Sequence, residues 1–423
     1  MTPLHSNHSL KILPVLRLKG TFRLPASKSY SIRASIIASL GGGSQIKGLS
    51  ICEDAIVASK IVKQLYSLPL AGRVREGGNW ELFSVGESGT TLRFLLPLLS
   101  VHTKNAKVIG TGTLKGRPNA HLCETLRRQG MDIQGSGKNE SVPIVFNGGK
   151  LAGGRVTVDG SLSSQFISAL LIALPSLKTD SHLLLTGKQL VSQDYIQMTI
   201  EILAKAGIVI KRRSSREYDI KGGQKFKGLK NFDVPSDYGL AAFALGACAL
   251  LPSNVILKGN LNDALPQADG HILGYLKRMG VHFVKSASSI KIKGPFNLKG
   301  GVFNLKDCPD LVPIMAVLAL FAKGKTKLVG IQHARAKESD RISDLRKELL
   351  KVGANVSETS DALTIDPRAT YKKDQLLDSH HDHRLAMAFT VLGTKIGCRV
   401  NGIESCRKSY PAFVKDMKSL GAL

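Results

Sequence analysis

The segments LRRQGMDIQ (126–134), LAKAGIVIK (203–211), LKRMGVHFV (276–284) and LLKVGANVS (349–357) share one layout: a basic and apolar stretch, a glycine, then a short run suited to a strand. MKSLGAL (417–423) closes the chain on the same pattern. Glycines 130, 207, 280, 353 and 421 therefore recur at intervals of 68–77 residues. A glycine just past a helix supplies the left-handed residue that ends it, and alternation after it suits a strand. A fixed period of this kind outranks any single motif in deciding the fold.

A second series runs in phase with the first. SKSYSIRASIIASL, ESGTTLRFLLPLLS, LSSQFISALLIALPSL, SDYGLAAFALGACALL, PDLVPIMAVLALFAKG and HDHRLAMAFTVLG each have a polar residue within their first two positions and continue as an apolar helix. Their starts, Ser27, Ser88, Ser163, Asp237, Asp310 and Asp382, lie 61–75 residues apart. Six units of about seventy residues then account for the chain, each reading as β-α-β-α-β-β or a close variant, an α/β architecture. Ser and Asp are N-cap residues, and helix N-termini attract anions. If related units pack symmetrically, several N-termini share a cleft fit for phosphate or carboxylate. Lys28, Ser29, Thr90, Arg93, Ser164, Gln165, Asp310, His383 and Arg384 stand at these starts. Caps alone need none of that chemistry, so the coincidence favours a ligand site.

Composition narrows the class. The chain has 423 residues, 43% hydrophobic and 22% charged, which excludes a disordered chain and a multi-span membrane protein. Its longest apolar stretches, Leu240–Pro252 and Phe166–Pro175, are too short for a bilayer. The N-terminal segment lacks a secretory h-region, so the expectation is a cytoplasmic protein without membrane contact. Cys52, Cys123, Cys248, Cys308, Cys398 and Cys406 form no C-x-x-C pair and read as reduced structural thiols. Lys and Arg number 59 against 32 acids, a net charge of +27 that attracts polyanions, nucleic acid first among them. The densest basic stretch, Lys211–Lys230, lacks the aromatic interleaving of a single-strand platform and reads as a solvated surface. The other reading gathers cations elsewhere into a pocket for small, highly charged anions. His380–Arg384 (HHDHR) lacks the partner motifs of a metal site.

LPASKSYSIRA (24–34), GESGTTLRFL (86–95), KGRPNAHL (115–122), DGSLSSQFISALL (159–171), RAKESDRISDLRKELLKVGA (335–354), HDHRLAMAF (381–389) and CRKSYP (406–411) occur in one order. Together they resemble the 5-enolpyruvylshikimate-3-phosphate synthase family of enolpyruvyl transferases, across essentially the whole chain. The resemblance implies a two-domain inside-out α/β barrel of six βαβαββ repeats, three per domain. One domain is then 23–234, the other 1–22 with 235–423, and the hinge lies near 23 and 234–235. It implies transfer of the enolpyruvyl group of phosphoenolpyruvate to the 5-hydroxyl of shikimate 3-phosphate, releasing phosphate, on the route to chorismate and the aromatic amino acids. No metal or organic cofactor, no nucleic-acid partner and a monomer are expected, with glyphosate as an inhibitor.

The same resemblance implies the site. Shikimate 3-phosphate falls to Lys28, Ser29, Arg33, Ser163, Ser164, Gln165, Ser192, Tyr195, Asp310, His333 and Lys337, with Lys28, Ser29 and Arg33 placed by helical spacing near one rim. Phosphoenolpyruvate falls to Lys28, Gly89, Arg117, Gln165, Arg341, Arg384 and Lys408. Gly89 admits a close backbone approach, and Arg suits bidentate carboxylate or phosphate. Addition followed by elimination needs a partner for the hydroxyl proton and another for the carbon-bound proton. Asp310 is expected in the first role. Glu338 is expected in the second, with Lys28 and Lys337 as alternatives.

Three positions depart from the family's pattern. Glu87 stands where Asn is frequent and brings a negative charge that calls for an Arg partner. His333 replaces a frequent Asn, and Tyr238-Gly239-Leu240 replaces small polar residues after Asp237, which is expected only to cap its helix. The rival within the chemistry is the sister enzyme acting on UDP-N-acetylglucosamine, which carries a Cys shortly before an Arg-Pro pair. Here Gly112–Gly116 precedes Arg117-Pro118 without one, and Cys123 comes after.

Overall fold

All five repeat glycines end helices. In the computed structural model, which describes residues 9–67 and 80–423, Gly130, Gly207, Gly280, Gly353 and Gly421 have φ of +96°, +82°, +91°, +78° and +80°. Each follows directly on the C-cap of a helix, at Gln129, Ala206, Met279, Val352 or Leu420. Only glycine takes that left-handed conformation without steric cost.

The helices that these glycines end are amphipathic. His271–Arg278, for example, buries only Ile272 and Leu276, one stripe at i and i+4. The other series is different. Tyr238–Leu250 is buried at every residue, and Gly89–His102, Ser164–Ala173 and His383–Ile396 nearly so. A helix apolar all round needs neighbours on every side. Tyr238–Leu250, Val312–Ala319 and His383–Ile396 pack on one another, while Gly89–His102 packs on Lys28–Ser39 and Ser164–Ala173. These two trios are the cores of two compact units, one formed by Met1–Pro25 and Pro235–Leu423, the other by Ala26–Val234.

Four sheets share one layout. Glu81–Ser84 lies parallel to Ala106–Ile109, which pairs antiparallel with Ser141–Gly149, itself antiparallel to Met131–Ser136. The inner helix Gly89–His102 is the crossover that a parallel pair requires. Gly154–Asp159 and Ser181–Thr186, Val302–Asn304 and Thr326–Val329, and Leu18–Arg23 and Ser253–Lys258 begin the other three.

The other two sheets are variants of this layout. Among the described residues, Phe232–Asp233 and Ile46–Lys47 form a parallel pair alone. Gln375–Asp378 and Cys398–Asn401 take their antiparallel neighbour from the N-terminal strand Leu10–Ile12, making three strands. Two repeats also exchange their entry strands. Leu18–Arg23 runs into the helix Lys28–Ser39 but pairs with Ser253–Lys258, the strand leaving Tyr238–Leu250. Phe232–Asp233 runs into Tyr238–Leu250 but pairs with Ile46–Lys47, the strand leaving Lys28–Ser39.

Five of the six expected helix starts are caps. Ser27, Ser88, Ser163, Asp237 and Asp382 each accept a hydrogen bond from a backbone N–H two or three residues on. Asp310 does not. It lies in the single turn Pro309–Leu311 ahead of Val312–Ala319, and its carboxylate turns to two arginines instead. All six cysteines are free and buried. No helix among the described residues is long and apolar enough to cross a membrane.

Candidate active site

In the unit Pro235–Leu423, the cluster centres on Arg341, 1% exposed. Its Nη1 donates to Asp310 Oδ1 at 2.6 Å, its Nη2 to Glu338 Oε2 at 2.9 Å and its Nε to Asp382 Oδ2 at 2.7 Å. Asp382 also caps the helix His383–Ile396 through the Arg384 N–H at 2.8 Å and accepts from Ser339 Oγ at 3.2 Å. Arg384, 3% exposed, sends Nη2 to Asp310 Oδ2 at 3.0 Å and lies 3.9 Å from Asp269 Oδ2. The two oxygens of Asp310 are thus divided between two buried guanidiniums.

The electrostatics follow from that geometry. Burial works to raise the Asp310 pKa, but the charges of Arg384, Arg341 and Lys337 outweigh it and hold the carboxyl well below the usual range. Burial likewise opposes the charge of Arg341, and Asp382, Asp310 and Glu338 overcome it. Breaking a buried pair of this kind from one side costs ~3–5 kcal/mol, because the partner charge is left stranded. His333 is buried, and burial with Lys337 and Arg341 pushes its pKa down to about 3, so the imidazole is neutral at physiological pH. It offers one N–H and one acceptor, not a cation. Lys408, also buried, donates from Nζ to the His381 carbonyl at 2.8 Å.

Gly239 explains the Tyr238-Gly239-Leu240 departure. A Cβ there would lie 2.2 Å from Asp269 Oδ2 and 2.8 Å from Arg384 Nη1. The missing side chain is what lets Asp269 and Arg384 reach the start of this helix.

The unit Ala26–Val234 holds the second set. Lys28 Nζ pairs with Asp54 Oδ2 at 2.9 Å. Arg33 is not on a rim. It is 1% exposed, donating to Thr199 Oγ1 at 2.8 Å and to the Ser29 and Tyr195 carbonyls at 3.0 and 3.2 Å. Its guanidinium lies 5.2 Å from the Phe94 ring centroid and 5.9 Å from that of Tyr195. Burial lowers its pKa to about 10. Because Thr199 also donates to Ser168 Oγ at 2.8 Å, Arg33 ties together four helices and fixes the backbone at Ser29 and Tyr195.

Gln165 is held from both ends of its amide: Nε2 donates to Thr90 Oγ1 at 2.9 Å, and Oε1 accepts from Arg93 Nη1 at 2.5 Å. Arg93 continues to Asn119 Oδ1 at 3.1 Å and the Pro118 carbonyl at 3.0 Å, and Asn119 Nδ2 donates to the Arg117 carbonyl at 3.1 Å. The Arg117 guanidinium lies over Gly89, whose Cβ would stand 2.8 Å from Nη1. Glu87 accepts from the Thr113 N–H and hydroxyl, both at 3.0 Å. Ser163 caps its helix and Ser164 is buried beside it. Ser192 is buried in a left-handed conformation, φ +56°, just before Gln193–Lys205.

The structure thus brings Asp310, Glu338, Arg341 and Arg384 into direct contact in one unit. In the other, it links Gln165, Arg93 and the Arg117 backbone, and sets Arg117 against Gly89. The cations are not bare, since Lys28, Arg341 and Arg384 all face carboxylates. Asp269, Asp382 and Asn119 are residues that the sequence reading left out of the site, and Arg93 it marked at a helix start without giving it a substrate. Arg93, Asn119 and Asp382 stood inside quoted motifs, whereas Asp269 had no motif to mark it.

A family model for EPSP synthase (3-phosphoshikimate 1-carboxyvinyltransferase) matches residues 13–417. The chain is 35% identical over 425 residues to the 3-phosphoshikimate 1-carboxyvinyltransferase of Methanocaldococcus jannaschii, with 96% of each chain covered. It is 34% identical over 426 residues to that of Clostridium perfringens, covering 97% of this chain and 98% of the relative. Among solved structures, an EPSP synthase from Acinetobacter baumannii superposes with a TM-score of 0.76 at 24% identity, covering 97% of this chain and 98% of the other. The enolpyruvyl transferase NikO from Streptomyces tendae superposes with a TM-score of 0.75 at 16% identity, covering 99% and 98%. Both structural likenesses speak to the fold.

Proposed function

The chain belongs to the EPSP synthase family, the 3-phosphoshikimate 1-carboxyvinyltransferases, and from that membership we propose that the two clusters carry its transfer of the enolpyruvyl group of phosphoenolpyruvate to the 5-hydroxyl of shikimate 3-phosphate. The observation that supports this most is Asp310 clamped between Arg341 and Arg384. A carboxylate kept ionised in a buried setting is an acceptor poised for a hydroxyl, and two guanidiniums beside it suit a substrate bearing both phosphate and carboxylate.

In the addition step the methylene carbon of phosphoenolpyruvate gains a proton while the 5-hydroxyl oxygen bonds to the neighbouring carbon and gives up its own. In the elimination step the new methyl loses a proton and phosphate departs. Asp310 is assigned to the hydroxyl proton, and Glu338 to the carbon-bound proton, with Lys28 and Lys337 as alternatives. Arg341, Arg384, Arg117, Gln165, Gly89, Lys28 and Lys408 are assigned to phosphoenolpyruvate. Shikimate 3-phosphate is assigned to Ser29, Ser163, Ser164, Gln165, Ser192, Tyr195, Asp310, His333, Lys28 and Lys337. Arg33, buried as it is, serves that substrate by positioning Ser29 and Tyr195. The anionic groups of the substrates exchange with carboxylates that hold the same cations beforehand, so binding replaces ion pairs instead of creating them in bare water.

Each unit is read as an inside-out α/β barrel of three repeats, helices within and sheets outside. Six free, buried thiols fit a reducing compartment such as the cytoplasm. The UDP-N-acetylglucosamine reading has no thiol to use in the loop before Arg117, and Cys123 is buried in the helix Ala120–Arg128, its pKa driven up by burial and Glu140.

Phosphate release with phosphoenolpyruvate and either acceptor tests the reading. Release with shikimate 3-phosphate and none with UDP-N-acetylglucosamine is expected; the reverse overturns it. Solvent deuterium entering the methylene group separates the proton partners: Glu338→Gln is expected to stop it, and unchanged incorporation removes Glu338 from that role.

A further inference from the structure

At the far ends of the three inner helices of the unit Pro235–Leu423 lies an open cleft of about 750 Å³. Tyr238–Leu250, Val312–Ala319 and His383–Ile396 all finish there, Leu250, Leu320 and Ile396 forming part of its lining. The Asp310–Arg384 cluster sits at the opposite, N-terminal ends of two of these helices, so the cleft is not part of that site. A stretch of 8 to 14 helical residues separates them, or about 12–21 Å at 1.5 Å per residue.

Two kinds of side chain face this space. Phe296, Phe321 and Tyr371 supply aromatic wall, with Phe321 and Tyr371 edge to face at 5.4 Å. The Tyr371 hydroxyl donates to the Leu320 carbonyl at 2.5 Å and accepts the Arg368 N–H at 3.0 Å, so the ring is fixed from both sides. Arg368, Lys373 and Lys395 supply charge, and no Asp or Glu among the described residues lines the cleft. Lys395 Nζ covers the Leu250 carbonyl at 3.0 Å. It and the Tyr371 hydroxyl therefore occupy one carbonyl at each of two helix ends, where free carbonyls would repel an anion. Arg368 and Lys373 form no ion pair among the described residues and are exposed on the loop above the rings. Rigid aromatic surface beneath unpaired cations is complementary to one kind of molecule.

We propose that this cleft is a second binding site, for a small amphiphilic anion: a planar aromatic body against Phe321, Tyr371 and Phe296, and a carboxylate or sulfonate at Arg368 and Lys373. The inference does not depend on the roles assigned to the catalytic clusters.

A matched pair of dyes tests it on the full chain: 8-anilinonaphthalene-1-sulfonate, and N-phenyl-1-naphthylamine, which has the same rings without the sulfonate. Fluorescence titration is expected to show one saturable site for the sulfonate dye, undiminished by saturating shikimate 3-phosphate. Arg368→Glu/Lys373→Glu is expected to weaken that binding at least tenfold while changing the affinity of the uncharged dye less than twofold. Arg368→Gln/Lys373→Gln is expected to act in the same direction, and serves if the charge-reversed chain does not fold. No saturable binding, displacement of the dye by shikimate 3-phosphate, or an unchanged affinity in the substituted chains overturns the proposal.

Discussion

Replacing Gly239 by Ala tests the buried arginine pair without replacing either arginine. The added methyl would stand 2.2 Å from Asp269 Oδ2 and 2.8 Å from Arg384 Nη1, where ordinary contact begins near 3.4 Å. The carboxylate must retreat by more than an ångström, and both groups are buried with little room to swing. Arg384 then loses its placement against Asp310, a contact of 3.0 Å. A hydrogen bond to a charged group contributes about 1.5–3 kcal/mol, and each ~1.4 kcal/mol is tenfold in rate. We expect kcat/KM for phosphoenolpyruvate to fall by ~10–100-fold. Stability moves less, because exchanging Gly for Ala in a helix favours folding by up to ~1 kcal/mol and offsets part of the strain. Phosphate-release kinetics and urea melts read the two effects separately. A kcat/KM within twofold of the parent chain would refute the reasoning, since it would mean that Arg384 either does not move or does not matter.

Four further outcomes are expected. Gly89→Ala presses a methyl to within 2.8 Å of Arg117 Nη1, the mobile end of a side chain, so the KM for phosphoenolpyruvate should rise by ~3–10-fold with that for shikimate 3-phosphate unchanged; glyphosate should compete with phosphoenolpyruvate in the parent chain, and absence of competition counts against the site assignment. Arg33→Met removes three hydrogen bonds of a buried side chain, to Thr199 and to the Ser29 and Tyr195 carbonyls, and should cost about 2–4 kcal/mol in urea unfolding; a loss below ~1 kcal/mol would show that water or repacking replaces it. His380 hydrogen-bonds to buried Glu348 at 3.0 Å, and that bond, helped by Asp344 and Asp378, raises its pKa above the ordinary imidazole value of 6.5. Its contribution is therefore complete below pH 6.5 and fades as pH rises through the raised folded value; the stability gap between the parent chain and His380→Gln should shrink from pH 6 to pH 9, and a constant gap rejects this account.

What could be read from sequence was whatever a local rule dictates. The five glycine stops are such a case, because the left-handed conformation is a demand of the backbone alone. Five caps are another. Asp310 shows where the local rule fails: a carboxylate at a helix start has the choice of capping or pairing, and here two guanidiniums brought from residues 341 and 384 decide it. Arg33 shows the same limit in reverse. Helical spacing placed it near Lys28 and Ser29, but its direction was set by Phe94, Tyr195 and Thr199, none of them neighbours in sequence. Asp269 was invisible for the same reason, being marked only by the gap that Gly239 leaves for it.

The exchanged entry strands bear on how the chain is made. Leu18–Arg23 leaves the ribosome well before its partner Ser253–Lys258, which follows more than two hundred residues behind. At about 5–20 residues per second the strand waits ~10–50 s for that edge, and closing so long a loop costs ~5 kcal/mol in chain entropy. An unpaired strand edge is a template for aggregation through that interval. Lys19 and Arg23, both exposed in the finished sheet, put two positive charges on the waiting segment LKGTFR and guard it until its partner arrives.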